Sequence, residues 1–268
     1  MQDIRAISYR YFLRLIWLNH RVIKPPILIS TLVLTLALPI STATAHQPVA
    51  LTSSHTSANK GPILVDGTIS FALRAGFTKA KQERGFRASL KAGELLNFEY
   101  LIIDQAPENK MPLSKLPVVT ITAPNGSKSV VKFTERTKFF ERYTGTNYLY
   151  LARFSSTAVE GIYDFSIRSK GRASITVSTG SKETFGEVYQ PATCPSVERL
   201  ALPAITNAQA ATLVGMKKDE AISCISSMQG IHRIAQEDGK DFALTRDYRV
   251  ERVDLTINKG VVTKVSVG

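Results

Sequence analysis

Apolar and polar positions alternate in short runs between residues 97 and 179: NFEYLII (97–103), PVVTITAP (117–124), SVVKF (129–133), NYLYLARF (147–154), GIYDFSIRS (161–169) and ASITVST (173–179). A period of two places successive side chains on opposite faces of an extended chain, so each run predicts a strand with a buried face. Asn125-Gly126 and single glycines punctuate the series. Strands of this length, recurring at roughly 10 to 15 residues, predict an antiparallel β-sandwich over residues 63–180.

From residue 204 the period changes. Ala221, Ile222, Cys224, Ile225 and Met228 fall at helical spacing, and Gly230 offers a C-terminal stop. Ile231 and Ile234 mark a weak strand, after which AQEDGKDFALTRDYR, with its Gly239, reads as a polar run without a regular element. Val253, Leu255 and Ile257 then alternate with Arg252, Asp254 and Thr256. Asn258-Lys259-Gly260 marks a turn, and Val261, Thr263, Val265 and Val267 are expected on the apolar face of a terminal hairpin. The fold class expected is mainly β: a central antiparallel sandwich, and over 204–268 a small α+β domain with one helix packed on a short sheet and an exposed loop left outside.

The flanking segments read differently. Residues 1–45 carry Arg5, Arg10, Arg14, Arg21 and Lys24 against the single acid Asp3, then the uncharged run PPILISTLVLTLALPI, then ATA at 43–45. That order is the signature of an export signal cleaved after Ala45, which implies a periplasmic or secreted protein. Residues 46–62, HQPVALTSSHTSANKGP, are expected as a flexible linker, and residues 181–203, without sustained period, as a second linker.

Charge and cysteine usage refine this picture. The formal charge is +12, and removing the five bases and one acid of the signal leaves +8. In an exported chain such basicity points to anionic envelope material rather than nucleic acid. Arg74, Lys79, Lys81, Arg84, Arg87 and Lys91, interleaved with Phe71, Phe77 and Phe86, are a candidate surface for an anionic polysaccharide; the plainer expectation is a solvated loop whose aromatics face the core. The two cysteines, Cys194 and Cys224, favour a disulfide in an oxidising compartment, with two separate buried thiols as the alternative.

Nothing in the pattern points to catalysis. His20 falls in the signal, His46 and His55 in the first linker, and His232 stands alone beside Arg233. No metal-ligand spacing, no G-x-S-x-G and no phosphate-cradling loop accompanies them. The expectation is a chain that is not an enzyme and uses no metal or cofactor.

Four segments in order, LVG at 213–215, Glu220-Ala221, TRDYRVERVDL at 245–255 and the ending VSVG, resemble the potato inhibitor I type of serine-protease inhibitor and its short bacterial elastase-inhibitor-like relatives. The resemblance covers about a quarter of the chain. It implies a reactive-site loop with Leu244, Thr245 and Arg246 before the scissile bond and Asp247 and Tyr248 after it. Arg246 would fill the primary pocket of a serine protease, and an arginine suits a pocket with an acid at its base, so a trypsin-like or subtilisin-like partner is implied. Arg249 and Arg252 are the implied loop supports, Arg252 pairing with Asp247.

Three positions depart from that family: Asp254 stands where Arg or Asn is usual, Lys217 where Ser or Thr would cap the helix, and IHRIAQ is polar for an interior strand. A non-inhibitory envelope or cell-surface binding protein, with the inhibitor-like domain as scaffold only, is the alternative. GIYDFSIRSKGRASITVS in the central region resembles the closing hairpin of β-sandwich modules in secreted bacterial proteins.

Overall fold

The computed structural model describes residues 46–195 and 204–268; the expected signal over 1–45 and residues 196–203 of the second linker lie outside them. The described residues belong to one compact unit and are mainly β, with strands in three sheets. Numbered in chain order, the first sheet holds β1 (Gln47–Leu51), β3 (Phe71–Phe77), β5 (Leu95–Ile103), β8 (Thr137–Glu141), β9 (Thr146–Thr157) and β11 (Ala173–Thr179), arranged β1-β3-β11-β5-β9-β8. The second holds β2 (Ile63–Leu64), β4 (Glu83–Leu90), β6 (Val118–Thr122), β7 (Lys128–Val130), β10 (Gly161–Arg168) and β12 (Val188–Tyr189), arranged β12-β2-β4-β10-β6-β7. The third is C-terminal: β13 (Ile231–Glu237), β14 (Lys240–Asp241), β15 (Arg252–Asn258) and β16 (Val261–Val267), arranged β14-β13-β15-β16.

The alternation read from the sequence places its apolar members in one core shared by the two six-stranded sheets. Phe71, Leu73, Phe98, Tyr100, Leu151 and Val177 from the first sheet meet Phe86, Leu90, Val119, Phe165 and Ile167 from the second. Phe86 and Phe165 are direct partners across β4 and β10, and their rings stack at 4.3 Å. The pairing is not wholly antiparallel as expected: β1 runs parallel to β3, and β2 parallel to β4.

The segment expected as a flexible linker is built into this core. β1 adds to the edge of the first sheet, and Leu51 and Ala58 are buried. Gln47 clamps Gly186 with both amide atoms, its Nε2 donating to the Gly186 carbonyl at 3.0 Å and its Oε1 accepting from Gly186 N at 2.8 Å. Edge pairing uses backbone groups, so a run of small and polar side chains conceals the strand from a hydropathy reading. The basic interval also resolves into strands. Phe71, Phe77 and Phe86 face inward, and Arg84 and Arg87 on β4 are buried with them, so this interval is not one continuous cationic surface.

The C-terminal segment begins with a helix the periodicity did not reveal, α1 (Asn207–Ala211). Thr206 Oγ1 accepts from Gln209 N at 3.2 Å and Gln209 Oε1 accepts from Thr206 N at 2.9 Å, a capping box that holds this short turn. Ala208 and Ala211 pack with Ile63, Val65, Ile162 and Tyr189, and Arg87 Nη1 donates to the Ala211 carbonyl at 3.0 Å. The C-terminal segment is therefore seated on the second sheet.

The predicted helix is present as α2 (Lys218–Ser227). Lys217 caps nothing with its side chain; Glu220 Oε2 accepts from Lys217 N at 3.2 Å and supplies half of a capping box. The helix stops at Gln229, whose φ of 58° is left-handed, rather than at Gly230. Gly230 N donates to the Ile225 carbonyl and Gln229 N to the Ser226 carbonyl, the two bonds of a Schellman ending.

The polar run that followed also contains structure. β13 extends to Glu237 and turns back into β14 through Asp238 and Gly239, both at positive φ. β13 then pairs in parallel with β15, and β15 with β16 through the Lys259-Gly260 turn. One expectation for that hairpin fails. A register shift between Thr256 and Ile257 sets Val262 opposite Ile257, so Val262 is buried and Val261 turns outward.

Candidate functional site

Parallel neighbours cannot be joined by a tight hairpin, so the chain leaving β14 must travel back before it starts β15. That return is the candidate site. Residues 242–249 have no regular secondary structure, and every residue from 241 to 250 is exposed. Leu244, Thr245, Arg246, Asp247 and Tyr248 sit at its centre.

Two buried or half-buried arginines rise beneath it, one from each of the parallel strands. Arg252, 6% exposed on β15, donates from Nη1 to Asp247 Oδ2 at 3.0 Å and from Nη2 to the Asp247 carbonyl. Its Nε donates to the Gly268 carbonyl at 2.8 Å, and Gly268 N donates back to the Arg252 carbonyl. Arg233, on β13, donates from Nη1 to Thr245 Oγ1 at 2.9 Å and to the Thr245 carbonyl at 3.3 Å. The Arg246–Asp247 bond is thus held from both sides.

Asp254 explains how Arg233 is aimed. The two residues are register partners across β13 and β15. Arg233 Nε donates to Asp254 Oδ1 at 2.8 Å and Nη2 to Asp254 Oδ2 at 2.6 Å, a forked, charge-assisted pair. Arg252 Nε lies 3.7 Å from the same Oδ1. Asp254, the position that fitted the resemblance least, thus has a partner that sequence reasoning passed over. The signal was available: an arginine in a strand whose parallel neighbour carries an acid. Part of the polarity of IHRIAQ has the same cause, since Arg233 serves the loop rather than the core, while Gln236 Nε2 donates to Asp241 Oδ1 at 2.7 Å.

The remaining positions contribute less. Arg249 reaches Asp247 Oδ2 at 3.3 Å and Glu251 Oε1 at 3.8 Å from an exposed position, where such pairs are weak. Tyr248 lays its ring on Gly268; a Cβ there would lie 2.6 Å from Tyr248 Cδ2. The Thr245 hydroxyl and then the Arg252 guanidinium hold the Asp247 carboxyl down to about 2, and the hydrogen bonds to Asp254 raise Arg233 above its usual range. Asp247 and Arg233 therefore keep their charges at neutral pH.

Cys194 and Cys224 form a disulfide that ties the segment after β12 to α2. Among the described residues no group of three or more His, Cys, Asp or Glu side chains is placed to hold a metal ion, and no helix is long and apolar enough to cross a membrane. An open groove of about 320 Å³ on the first sheet is lined by Arg74, Ile103, Tyr148 and the hydroxyls of Thr144, Ser174 and Thr176.

No protein-family model matches the chain, and no curated protein matches it.

Proposed function

We propose that this chain is an exported serine-protease inhibitor that presents the Arg246–Asp247 bond as a substrate too rigidly held to be turned over usefully. The observation carrying this reading is that the loop is exposed throughout yet gripped on each side of that one bond, Thr245 by Arg233 and Asp247 by Arg252. A loop already in its bound shape loses little conformational entropy on docking, so a modest interface binds tightly. Arg246, exposed between the two grips, is the side chain for the primary pocket, and a trypsin-like or subtilisin-like enzyme is the partner.

In this reading the protease nucleophile attacks the Arg246 carbonyl carbon and the bond to Asp247 N breaks, with a proton passing to that nitrogen. Arg252 keeps the freed amine near the acyl carbon, so the reverse attack competes with water. The two six-stranded sheets form a β-sandwich domain that runs from β1 to β12 rather than over residues 63–180 alone, residues 204–268 form the inhibitor domain, and cleavage after Ala45 releases the chain to the periplasm or exterior. The protein is not itself an enzyme.

Inhibition constants of the full chain against trypsin, chymotrypsin, elastase and subtilisin test the proposal. Trypsin or subtilisin is expected to be held best. Arg246→Gly is expected to weaken trypsin binding by at least about 30-fold, the equivalent of about 2 kcal/mol for a buried charge pair lost, without changing folding. A preference for elastase would sink the assignment of Arg246.

The groove beside Arg74 favours a second reading, in which the sandwich binds an anionic envelope polysaccharide and the C-terminal domain is scaffold. Under it, Arg246→Gly changes no binding, and Arg74→Ala lowers retention on an acidic polysaccharide.

A further inference from the structure

Thr245, Arg233, Asp254, Arg252 and Asp247 form one continuous chain of polar contacts that starts on one side of the Arg246–Asp247 bond and ends on the other. Arg233 meets Asp254 through both carboxylate oxygens, at 2.8 and 2.6 Å, and Arg252 approaches Oδ1 of the same carboxylate at 3.7 Å. Asp254 is only 9% exposed and touches neither Thr245 nor Asp247 in any of these contacts. It lies between the two arms.

We propose that Asp254 is a positioning residue that couples the two braces, so that the two ends of a cut loop are held by one carboxylate and stay within reach of each other. The inference rests on the inhibitor reading and adds to it a residue that acts only through others. Its physical reason is the placement of charge. Two guanidiniums on neighbouring strands repel each other unless an anion lies between them, and a carboxylate shielded from water interacts more strongly than one at the surface. With Asp254 neutral, Arg233 loses the fork that aims its Nη1 at Thr245, and Arg252 loses the charge that offsets its neighbour. Both halves of the loop loosen.

Hydrolysis of the Arg246–Asp247 bond adds one water, the hydroxyl to the Arg246 carbonyl carbon and a proton to Asp247 N. Religation removes the same water. Coupled braces favour religation because the new carboxyl and amine cannot drift apart; uncoupled braces let them separate and the loop becomes an ordinary substrate.

The test uses the full chain with trypsin and three variants: Asp254→Asn, Arg233→Gln and the double variant. Asp254→Asn keeps the size of the side chain and removes its charge. It is expected to raise the rate of cleavage between Arg246 and Asp247 by about tenfold or more and to shift the equilibrium between intact and cut loop toward cut. Arg233→Gln is expected to do less, and the double variant no more than Asp254→Asn alone, because Asp254 acts on Thr245 only through Arg233.

Backbone ¹⁵N relaxation reads the same coupling without a protease: Asp254→Asn is expected to mobilise both Thr245 and Asp247, and Arg233→Gln only Thr245. An Asp254→Asn chain with rigid Thr245 and Asp247 amides, or with unchanged cleavage at equal stability, overturns the coupling. Failure of the unaltered chain to inhibit any of the four proteases overturns the inhibitor reading instead, and the relaxation result then decides the coupling by itself.

Discussion

Asp247 carries the largest resolved carboxylate shift in the loop, and its sign fixes a pH dependence. The Thr245 hydroxyl and Arg252 bond to the charged form, so its folded pKa falls to about 2, below its usual value of 3.8. A depressed carboxylate contributes stability that is fully present above its unfolded pKa and is lost as pH falls through the folded one. Loop order is therefore expected to hold above about pH 4 and to fade between about pH 4 and 2. Amide chemical shifts of Thr245 and Asp247 followed on acidification would show it. Asp247→Asn should abolish that transition, and a transition centred at neutral pH would contradict the assignment. In the inhibitor reading Arg246 needs no such support, since its proposed role is to be free. What was legible at this scale was the exposed run from Leu244 to Tyr248 and the pairing of Arg252 with Asp247, because the motif is local. Arg233 was not, because its partner lies 21 positions away and meets it only once β13 and β15 pair.

The elements around the loop follow local rules until another element intervenes. Helix α2 was visible from its spacing, and its ending from Gly230, yet the left-handed residue is Gln229. Gly230 is needed for a different reason. A Cβ there would lie 2.2 Å from Ile205 Cδ1 and 2.8 Å from the Glu251 carbonyl, the acceptor for Ile231 N at the start of β13. Gly230→Ala is expected to cost about 1–3 kcal/mol in urea unfolding and, in the inhibitor reading, to weaken inhibition as well because Glu251 immediately precedes Arg252. Retention of full stability would show that the backbone yields there freely. The terminal hairpin gives a similar lesson. Strict alternation predicted Val261 and Thr263 on the core face, but a one-residue irregularity after Thr256 transfers the role to Val262. A bulge leaves little trace in a two-residue period.

Across the molecule, the C-terminal segment is joined to the second sheet and to the segment after β12 by three kinds of contact. Ala208 and Ala211 pack on Ile63 and Ile162, Arg87 reaches the Ala211 carbonyl, and Ala192 N donates to the Thr212 carbonyl at 2.8 Å. The disulfide closes a loop spanning 30 residues of sequence, which on chain-entropy grounds stabilises by about 3–4 kcal/mol. The Cys194→Ser/Cys224→Ser variant is expected to lose that amount in denaturant unfolding; an unchanged midpoint would mean that the bridge constrains a segment already ordered in the unfolded chain.

The sequence by itself determined the mainly β class, the position of α2 and the exposed centre of the loop, and favoured the cysteine pair without deciding it. Each depends on local period, on composition or on a short motif, and needs no knowledge of neighbours. Tertiary structure alone decided that Gln47–Leu51 join a sheet, that Arg84 and Arg87 leave the surface, and that Arg233 and Asp254 stand under the loop. Those outcomes are set by which strands lie side by side, and pairing between strands far apart in sequence is fixed by the burial of the whole core rather than by any one segment's pattern.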